Sequence, residues 1–575
     1  MGNLPLRNDQ PPIADHDLLV FTATYNEADN IENLVRDVLA ACPNAHMLVV
    51  DDASPDGTGQ LLEQMKQADP RLYVVHRPQK LGLGSAHELA MLYAMQAGYR
   101  TLVTMDADHS HDPAIIPRLV SELAEADFVI GARYIKGGSC DYHGYRKMVS
   151  LGANRAARYL IGVPLHEFTN AFRAFRVDFI RRMDLTRIRS HGYSFFLESV
   201  YRLHKAGARL REIPIHFRDR RAGASKIPKF EIFAGMHQLT RLVGSRFSLA
   251  HVRESKPDLG GLTCYFCDSP WLVEKWARKG QENNDVSAYR CTSMGHASNP
   301  QVVTCLRCGL SFATSVGTCE RHYADVVDEQ YLTHRAGRYE TFRIALERIS
   351  GFLPKKGKML EFGSYCGFFL DLARSNGWKV QGVEPSRWAA EYARRELGLN
   401  IVPGTVEEAF AQLEPNNDVI VMWDVLEHVD DPVLLLLQAN ALLKDGGSLC
   451  LSTLDIDNWY ARALGRRWPW LMDMHIFYFR DIVLRHILKR AGFEVVMSRA
   501  YCHSIEARYL MEKLSVLLPG WLGKVAHSLK PLTPRFFVPF QFGDIKLYVC
   551  RKVEEVRAVT PRDSQVPFAV QRAAS

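Results

Sequence analysis

The sequence predicts an α/β protein with two sheet-containing domains and a small cysteine-rich segment between them. The chain has 575 residues, more than one hydrophobic core normally holds. Apolar runs alternate with helical patterns over residues 18–135 and again over 358–552, which is typical of βαβ units. Two CxxC pairs lie between these regions. The net charge of +7 is small for this length and does not by itself indicate a nucleic-acid partner.

The sequence lacks the patterns of a membrane-spanning or secreted chain. No apolar run reaches the roughly 18 residues that span a bilayer, and the first 17 residues contain no apolar segment like that of a signal peptide. Four of the twelve cysteines form the CxxC pairs, which favours a metal site in a reducing compartment over a disulfide framework. We therefore expect a cytoplasmic protein.

Five short apolar runs predict the strands of the first domain, and the first four each precede a helical pattern. They are LLVFTATYN (18–26) before a helix from Asn30, HMLVVDD (46–52) before one near Gly57, LYVVHRP (72–78) before one near Ser85, TLVTMDAD (101–108) before one from Pro113, and DFVIGARY (127–134). This alternation predicts a parallel sheet.

Carboxylates follow two of these strands. Asp51 and Asp52 end the second predicted strand, and Asp106 and Asp108 end the fourth. Ligands of open α/β sheets bind beyond the carboxyl ends of the strands. A hard divalent cation held there by one or two carboxylates stabilises the charge on a departing diphosphate. Asp51 is better suited to hydrogen-bonding a base or a ribose than to holding the cation.

The alternative for acids at strand ends is that they cap the following helix. We expect that role for Asp56 and Asp112, which stand just before helical patterns. Two separate acidic clusters after two strands favour a functional site over capping alone.

The motifs around these acids resemble one enzyme family. They are TYNE (24–27), VVDDASPDGTG (49–59), KLGLGSA (80–86), MDADHSHDP (105–113), GARY (131–134) and FRDRRAGASK (217–226). In this order they resemble family 2 glycosyltransferases with the GT-A fold and, more narrowly, the dolichol-phosphate (polyprenol-phosphate) mannose synthases. The resemblance covers about residues 16–246. It implies inverting, metal-dependent transfer of a hexose, mannose from GDP-mannose, to polyprenyl or dolichyl phosphate.

The resemblance also assigns roles to residues. It implies that catalysis depends on Asp106, Asp108, Arg133 and Arg146. The nucleotide-sugar pocket would be lined by Thr24, Asn26, Glu27, Asp51, Asp52, Arg220 and Lys226. Mg²⁺ or Mn²⁺ would be held by Asp106, Asp108 and Ser110. The segment EFTNAFRAF (167–175) departs from the family's Asp-Pro-Thr-Ser-Gly-Phe-Arg, because Glu167 keeps the carboxylate but Asn170 and Ala171 replace Ser and Gly.

A basic run suggests how a lipid acceptor is approached. From Ala171 to Lys226 the chain has 14 Arg or Lys against 5 Asp or Glu, a charge that attracts anionic headgroups and a lipid phosphate; a solvated face is the alternative. The segment 230–247 has apolar residues at helical spacing and either lies in the bilayer interface or packs in the core. We expect peripheral association with the inner face of the membrane, directly or through a membrane-embedded partner.

The cysteine-rich segment predicts a structural zinc ribbon over residues 262–320. Each CxxC aims two thiolates at one point, so Cys264, Cys267, Cys305 and Cys308 supply four ligands for Zn²⁺. The 37 residues between the pairs exceed the usual spacing. Substitute ligands are Cys291, His296 and Cys319. A redox pair is disfavoured because neither CxxC opens a helix in a βαβ pattern, and sparse basic and aromatic residues disfavour nucleic-acid binding.

A second strand–turn–helix series follows from residue 358. Its first two motifs, taken alone, are also compatible with an NAD-binding domain; they are LEFGSYCGFFLDLA (360–373) and VQGVEPS (380–386). With VIVMWDVLEHVDDP (419–432), LLKDGGSLCLST (442–453) and HIFYFRDIVLRHILKRAGFEV (475–495), they resemble class I S-adenosylmethionine-dependent methyltransferases with a Rossmann-like fold. The resemblance covers about 264–551, and the zinc ribbon ahead of the domain is similar to small-molecule and sugar C- or O-methyltransferases.

The methyltransferase resemblance assigns the S-adenosylmethionine (SAM) site as well. The SAM contacts it implies are Glu361, Gly363, Gly367, Glu384 and Asp424. Glu384 would bind the ribose hydroxyls and Asp424 would lie near the reacting end, while Tyr365 stands where the family has glycine. If the methyl acceptor is a hydroxyl oxygen, His428 or His475 would take the hydroxyl proton as a general base. The alternative is that each histidine has only a structural role.

These observations predict a bifunctional enzyme. A glycosyltransferase domain spans 16–246, the zinc ribbon 262–320 and a SAM-dependent methyltransferase domain 330–552, with a disordered tail over 553–575. The methyltransferase would act on a small molecule or a glycan. Two alternatives remain: a glycosyltransferase with a protein or glycan acceptor, and a methyltransferase-like domain that is a non-catalytic scaffold.

Overall fold

The computed structural model describes residues 17–142, 144–183, 185, 188, 194–219, 239–240, 242–243, 259, 261–280, 290–292, 299–314, 323–353, 356–506, 528 and 536–554. The chain forms two compact units. The first contains Met1–Lys275 and Thr304–Gly309, and the second contains Trp276–Val303 and Leu310–Ser575.

Ahead of Cys264, the described part of the first unit has nine strands: seven form one sheet with helices on both faces, and the other two pair separately. Its strands are β1 (Leu18–Thr24), β2 (His46–Asp51), β3 (Leu72–His76), β4 (Thr101–Thr104), β5 (Phe128–Ala132), β6 (Ser139–Cys140), β7 (Arg173–Arg176), β8 (Leu210–Pro214) and β9 (His216–Phe217). The separate pair is β6 and β9. Its helices are α1 (Ala28–Ala41), α2 (Thr58–Ala68), α3 (Leu83–Gln96), α4 (Ile116–Ser121), α5 (Gly144–Ile161), α6 (Val177–Arg182) and α7 (Ser194–Lys205), with 3-10 turns at Pro113–Ile115 and Glu122–Ala124.

The strand order of this sheet places a crevice beside β1. The order is β3-β2-β1-β4-β7-β5-β8, so strand succession reverses at β1 and β4, where ligands of doubly wound sheets bind. The expected parallel sheet is in fact mixed, because β7 runs antiparallel between β4 and β5. The helix expected at Pro113 begins as a 3-10 turn, with the Asp112 side chain accepting from the Ala114 N–H.

Alternation along the strands builds a core on each face of the sheet. Leu19 and Phe21 pack on the face that carries α3, whereas Val20 packs on the face that carries α1 and α4. Successive strand residues point to opposite faces, and a sheet buried on both sides needs apolar side chains at both. Continuous apolar runs such as MLVV (47–50) follow from that requirement.

Part of the basic run lies inside this core. Arg173 is buried, and its guanidinium donates to the carbonyl oxygens of Asn170 and Phe168, so it does not belong to a lipid-facing surface. The described residues of the segment 230–247 favour the core alternative, because Leu242 is buried in the unit's main cluster and Leu239 and Val243 pack against it.

The cysteine turns pack with the first unit. Strands β10 (Leu272–Trp276) and β11 (Val302–Cys305) adjoin them. Trp271 lies against Tyr93 of α3, with ring centroids 5.9 Å apart, and Gln96 donates a hydrogen bond to the Pro270 carbonyl oxygen. These contacts attach the turn after Cys267 to the helix that covers the sheet.

From Leu310 on, the described part of the second unit has eleven strands, seven of which form another sheet. Its strands are β12 (Ser311–Ala313), β13 (Lys358–Phe362), β14 (Lys379–Glu384), β15 (Ile401–Pro403), β16 (Asn417–Trp423), β17 (Leu443–Leu454), β18 (Phe477–Tyr478), β19 (Phe493–Ala500), β20 (His503–Glu506), β21 (Phe537–Phe540) and β22 (Ile545–Lys552). Outside that sheet, β12 pairs with β18, and β20 pairs with β21. Its helices are α8 (Glu329–Thr333), α9 (Arg335–Ser350), α10 (Phe368–Ser375), α11 (Arg387–Glu396), α12 (Val406–Ala409), α13 (Pro432–Leu442), α14 (Trp459–Leu464) and α15 (Asp481–Arg490), with 3-10 turns at Phe410–Gln412 and Gly465–Arg467.

This sheet has a Rossmann-like arrangement. Its order is β15-β14-β13-β16-β17-β22-β19, with parallel pairing from β15 to β17 and β22 antiparallel to both of its neighbours. Strand succession reverses at β13 and β16, which places the ligand crevice at their carboxyl ends. In the described part of the chain, no helix is long and apolar enough to cross a membrane. Of the expected tail, Val553 and Glu554 are described and the remainder is not.

Candidate active sites

Two loops at the carboxyl edge of the first sheet are joined by hydrogen bonds. Asp51, at the end of β2, accepts from the Thr24 and Ser54 hydroxyls and from the Ser54 N–H. The Asn26 N–H donates to the Ser54 hydroxyl, and the Glu27 N–H donates to the Thr58 hydroxyl. Thr24, Asn26, Glu27 and Asp51 are thus brought to one wall of the crevice.

A buried ion pair extends this wall to the third strand. Asp52 pairs with Arg77, which follows β3 and also donates to the Ser85 hydroxyl and the Gly82 carbonyl oxygen. Burial raises the pKa of Asp52, and the Arg77 charge opposes that shift. Sequence reasoning missed Arg77; its position immediately after an apolar strand, in HRPQK, was the available signal.

The second acidic cluster lies at the end of β4, next to β1. Asp108 is buried, and its Oδ1 accepts from both the N–H and the hydroxyl of Ser110. The Asp106 side chain is about one-third exposed, so its carboxylate faces the crevice more openly. Ser110 is thereby a hydrogen-bond partner of Asp108, and carboxylates in this position suit a hard divalent cation.

His111 links this cluster to the segment that departs from the family. The Asp106 N–H donates to His111 Nδ1 at 3.1 Å, so the ring proton is on Nε2, which lies 2.5 Å from Asn170 Oδ1. Asn170 in turn donates to the Gly131 carbonyl oxygen. Burial lowers the pKa of His111, which keeps the ring neutral at pH 7. Asn170 therefore orients His111, a role that the sequence did not suggest.

Arg133 is held by a buried carboxylate. Its Nε and Nη2 donate to the two oxygens of Glu167, both at 2.8 Å, and Nη2 also donates to the Thr169 hydroxyl. Burial opposes ionisation of Glu167, but the Arg133 charge and hydrogen bonds outweigh it and lower the pKa of Glu167. Arg220, Lys226 and the side chain of Arg146 lie outside what the structure describes; the Arg146 backbone is in α5.

At the second sheet, the Glu384 carboxylate at the end of β14 accepts hydrogen bonds from two backbone N–H groups. Its two oxygens accept from the Tyr365 N–H at 2.6 Å and the Ser386 N–H at 2.8 Å. Burial raises the pKa of Glu384 to about 7, although these donors oppose the shift. Glu361, at the end of β13, is also buried, and burial followed by the nearby Glu384 raises its pKa well above the usual value.

The turn between β13 and α10 has the backbone that its glycines require. Gly363 and Gly367 have φ of 69° and 77°, and Tyr365 has φ of 44°, so Tyr365 occupies a left-handed position that glycine fits best. A Cβ on Gly363 would lie 2.7 Å from Val425, and one on Gly367 would lie 2.5 Å from Leu399. These two glycines therefore permit close packing of the turn, rather than only close approach to a ligand.

Two buried polar atoms around this turn fit a missing ligand. Within the described residues, Glu361 Oε2 and Ser364 Oγ have no hydrogen-bond partner. Buried polar atoms are normally satisfied, so atoms left over in one crevice indicate a polar molecule that completes them. The residues present therefore fit the amino-acid and ribose parts of SAM.

Acidic and imidazole side chains follow β16. Asp424 has φ of 52° and accepts from the Ser452 hydroxyl at 2.6 Å. Beyond it, one donor atom from each of Glu427, His428 and His475 lies within 4.8 Å of the others. Burial lowers the pKa of His428 to about 4, which keeps that ring neutral at pH 7.

Comparison with known proteins identifies the first unit. Residues 19–184 match the description "Glycosyl transferase family 2". Polyprenol monophosphomannose synthase of Mycolicibacterium smegmatis is 41% identical over 224 residues, which are 38% of this chain and 84% of that protein. The chain belongs to glycosyl transferase family 2. Undecaprenyl-phosphate mannosyltransferase of Micrococcus luteus is 39% identical over 211 residues, 36% of this chain and 87% of that protein.

This family 2 glycosyltransferase carries a second enzyme domain. Residues 331–498 match the description "Methyltransferase domain". A SAM-dependent methyltransferase structure from Thermotoga maritima aligns with 39% of this chain and 93% of its own, at 20% identity and a TM-score of 0.27. Strand order and the domain match support a class I SAM-dependent methyltransferase fold, so the chain is a bifunctional glycosyltransferase and methyltransferase.

The glycosyltransferase unit also holds a thiolate cluster. One sulfur from each of Cys264, Cys267, Cys305 and Cys308 lies within 4.8 Å of the others, with Cys264–Cys308 at 3.5 Å and Cys267–Cys305 at 3.6 Å. Tetrahedral Zn²⁺ with bonds of about 2.3 Å requires sulfurs about 3.8 Å apart, so the geometry fits zinc. Cys291 is not in this group, and His296 and Cys319 lie outside the described residues.

Proposed function

We propose that the first unit transfers mannose from GDP-mannose to polyprenyl or dolichyl phosphate, with inversion at the sugar. The observation that carries this proposal is the carboxylate pair Asp106 and Asp108 after β4, at the reversal of strand order. Strand β1 separates β4 from β2, the strand that ends at Asp51 and is followed by Asp52. The mannose-transferring names of the two relatives support the same donor sugar and a polyprenyl acceptor.

The proposed reaction needs charge stabilisation more than proton transfer. A lipid phosphate monoester has its second pKa near 6 and is about nine-tenths dianionic at pH 7, so its oxygen is already a nucleophile. Mg²⁺ or Mn²⁺ bound at this edge supplies charge stabilisation for the departing diphosphate. Asp106, Asp108 and Ser110 would hold that ion, and Arg133 and Arg146 would complete the catalytic set.

The donor pocket follows from the hydrogen-bonded loops. Asp51 and Asp52 would lie on the guanosine side, together with Thr24, Asn26 and Glu27, while Arg220 and Lys226 would contact phosphates. Exposed basic residues of the same unit would attract an anionic membrane surface, so we propose peripheral attachment to the cytoplasmic face of the membrane, where a polyprenyl acceptor is embedded.

We propose that the second unit methylates a small molecule or a glycan of the same pathway. Bound SAM supplies an electrophilic methyl group. Glu361, Gly363 and Gly367 would bind its methionine part, Glu384 would accept hydrogen bonds from the ribose hydroxyls, and Asp424 would lie near the reacting end. The unpartnered Glu361 and Ser364 atoms favour a cofactor-binding domain over a scaffold. Structural Zn²⁺ on the four cysteines would stabilise the turns that pack on α3.

Mannosyl transfer is tested on the full chain with radiolabelled GDP-mannose and polyprenyl phosphate in detergent, with Mn²⁺ or with EDTA. We expect labelled lipid only with the metal. Asp108→Asn should lower the rate by about a thousandfold, since it removes charge from the cation site. Asp112→Asn is the matched control, because Asp112 only caps a 3-10 turn and pairs with exposed Arg218. Equal loss in both variants would refute the assignment.

Cofactor binding is tested by calorimetric titration of the full chain with SAM. Binding that is lost in Gly367→Ala and retained in Gly351→Ala would support a working methyltransferase site, because Gly351 has open space around it. No heat at millimolar SAM would instead support the scaffold alternative. In the mannosyl-transfer assay, label that enters a glycan but not polyprenyl phosphate would favour the alternative in which the glycosyltransferase acts on a glycan acceptor.

A further inference from the structure

Two histidines and a glutamate converge in the methyltransferase unit, outside the residues that the SAM site requires. One donor atom from each of Glu427, His428 and His475 lies within 4.8 Å of the others. Glu427 and His475 are buried, and His428 is half-buried. Glu427 and His428 follow β16, whereas His475 lies two residues before β18. The fold thus brings together His428 and His475, which are 47 positions apart in sequence.

The hydrogen bonds of both rings fix the same tautomer. His428 Nδ1 lies 3.0 Å from the Met474 carbonyl oxygen and 2.8 Å from the Tyr323 hydroxyl, which can accept as well as donate. His475 Nδ1 lies 2.7 Å from the Trp470 carbonyl oxygen. A carbonyl oxygen only accepts, so each Nδ1 carries the proton and each Nε2 carries the lone pair. A backbone carbonyl that holds Nδ1–H in this way is the usual support of a histidine that binds metal through Nε2.

Hydrogen bonds also fix the position of Glu427. Glu427 Oε2 accepts from the Thr453 hydroxyl at 2.8 Å, and the Glu427 carbonyl oxygen accepts from the N–H groups of Ile476 and Phe477. These bonds join the Glu427 loop to the His475 segment. A buried carboxylate beside two imidazoles costs free energy unless a proton or a cation lies among them.

We propose that Glu427, His428 and His475 bind one divalent transition-metal cation, such as Zn²⁺. Two imidazole nitrogens with one carboxylate suit Zn²⁺ and neighbouring first-row ions, whereas Mg²⁺ and Ca²⁺ prefer oxygen ligands alone. Three protein ligands leave a coordination position for water or for an oxygen of another molecule. This site is chemically distinct from the four-thiolate cluster of the glycosyltransferase unit.

The position of the site suggests what the open coordination position binds. Asp424 directly follows β16, three residues before Glu427, and its charge acts on both Glu427 and His428. If Asp424 lies near the reacting end of SAM, as proposed above, the cation would face the methyl acceptor and bind one of its hydroxyl oxygens. That assignment rests on the proposed function, whereas the binding of metal by the three side chains does not.

The experiment counts zinc in the full chain by mass spectrometry after loading with Zn²⁺ and desalting. We expect a second equivalent beyond the one that the cysteines hold. Glu427→Gln and His475→Ala should each lose one equivalent, and Cys305→Ser should lose the other. His486→Ala is the matched control, since it removes a half-buried histidine of the same unit, on α15, that is outside the cluster.

The outcomes separate this proposal from the methyltransferase assignment. Wild-type zinc content in Glu427→Gln and His475→Ala, or a single equivalent that Cys305→Ser removes, would overturn the site. If His475→Ala does not fold by circular dichroism, Co²⁺ absorption of the folded Cys305→Ser chain decides: visible bands of nitrogen and oxygen ligands support the site, and their absence overturns it. If instead the methyltransferase assignment fails, methyl transfer is absent while two equivalents of zinc are still bound. The two failures are therefore distinguishable.

Discussion

Removing the negative charge of Glu167 should open the first sheet locally. Glu167 is buried and binds the Arg133 guanidinium through two hydrogen bonds of 2.8 Å, with the two side chains 0% and 5% exposed. Glu167→Gln keeps the size of the side chain but leaves the guanidinium without a compensating charge. Breaking one side of a buried pair costs about 3–5 kcal/mol.

A second estimate gives a similar magnitude. Two unit charges about 4 Å apart interact by about 4 kcal/mol at an effective dielectric constant of about 20. Since about 1.4 kcal/mol corresponds to a tenfold change in an equilibrium constant, local opening around Arg133 should become several hundredfold more frequent in Glu167→Gln.

Hydrogen–deuterium exchange measured by mass spectrometry reports that opening in the full chain. Peptides that cover β5 and β7 should exchange about a hundredfold faster or more in Glu167→Gln. Glu122→Gln is the matched control, because Glu122 pairs with Arg211 at 2.7 Å near the surface, where such pairs contribute less than about 1 kcal/mol. Exchange in Glu167→Gln that equals exchange in Glu122→Gln would refute the inference that this pair is structural.

Three further predictions follow from the structure. Because the pKa of Glu384 is raised to about 7 and ribose hydroxyls need its ionised form, SAM should bind about tenfold more weakly at pH 6 than at pH 8 by calorimetry; Glu384→Gln should remove this dependence, and an unchanged slope would contradict it. Gly367→Ala should lower the melting temperature of the methyltransferase unit, whereas Gly351→Ala should leave it unchanged or raise it, since only the first meets a close neighbour and a positive φ. Trp271→Ala should destabilise the glycosyltransferase unit by about 3 kcal/mol in urea unfolding, because it removes the ring packed on Tyr93; a change below about 1 kcal/mol would show that the cysteine turns are not part of that core.

The sequence alone predicts the features that depend on local spacing. Apolar runs of four or more residues locate β1, β2 and β16, because a strand buried on both faces needs them. Asp51 and Asp106 are predicted at strand ends because each comes where such an apolar run stops. Asp112 is predicted as a cap because its partner, the Ala114 N–H, is two residues away. Each of these depends on contacts within a few residues.

Pairs that are distant in sequence were not predictable in this way. Nothing local marks β7 as the strand that runs antiparallel between β4 and β5. Arg77 finds Asp52 because β3 lies next to β2 in register, and Asn170 finds His111 because the segment before β7 returns to the end of β4. These contacts follow from strand order, which a motif does not specify.

Sequence therefore determined the two enzyme families through the resemblance of their motifs. It determined the strand ends that carry acids and the two pairs of cysteines through short-range periodicity and spacing. The tertiary structure alone decided that Arg133 is neutralised by Glu167, and that His428 and His475 converge on one point. A side chain's charge and ligands depend on which distant groups share its buried surroundings, and only the packed chain brings those groups together.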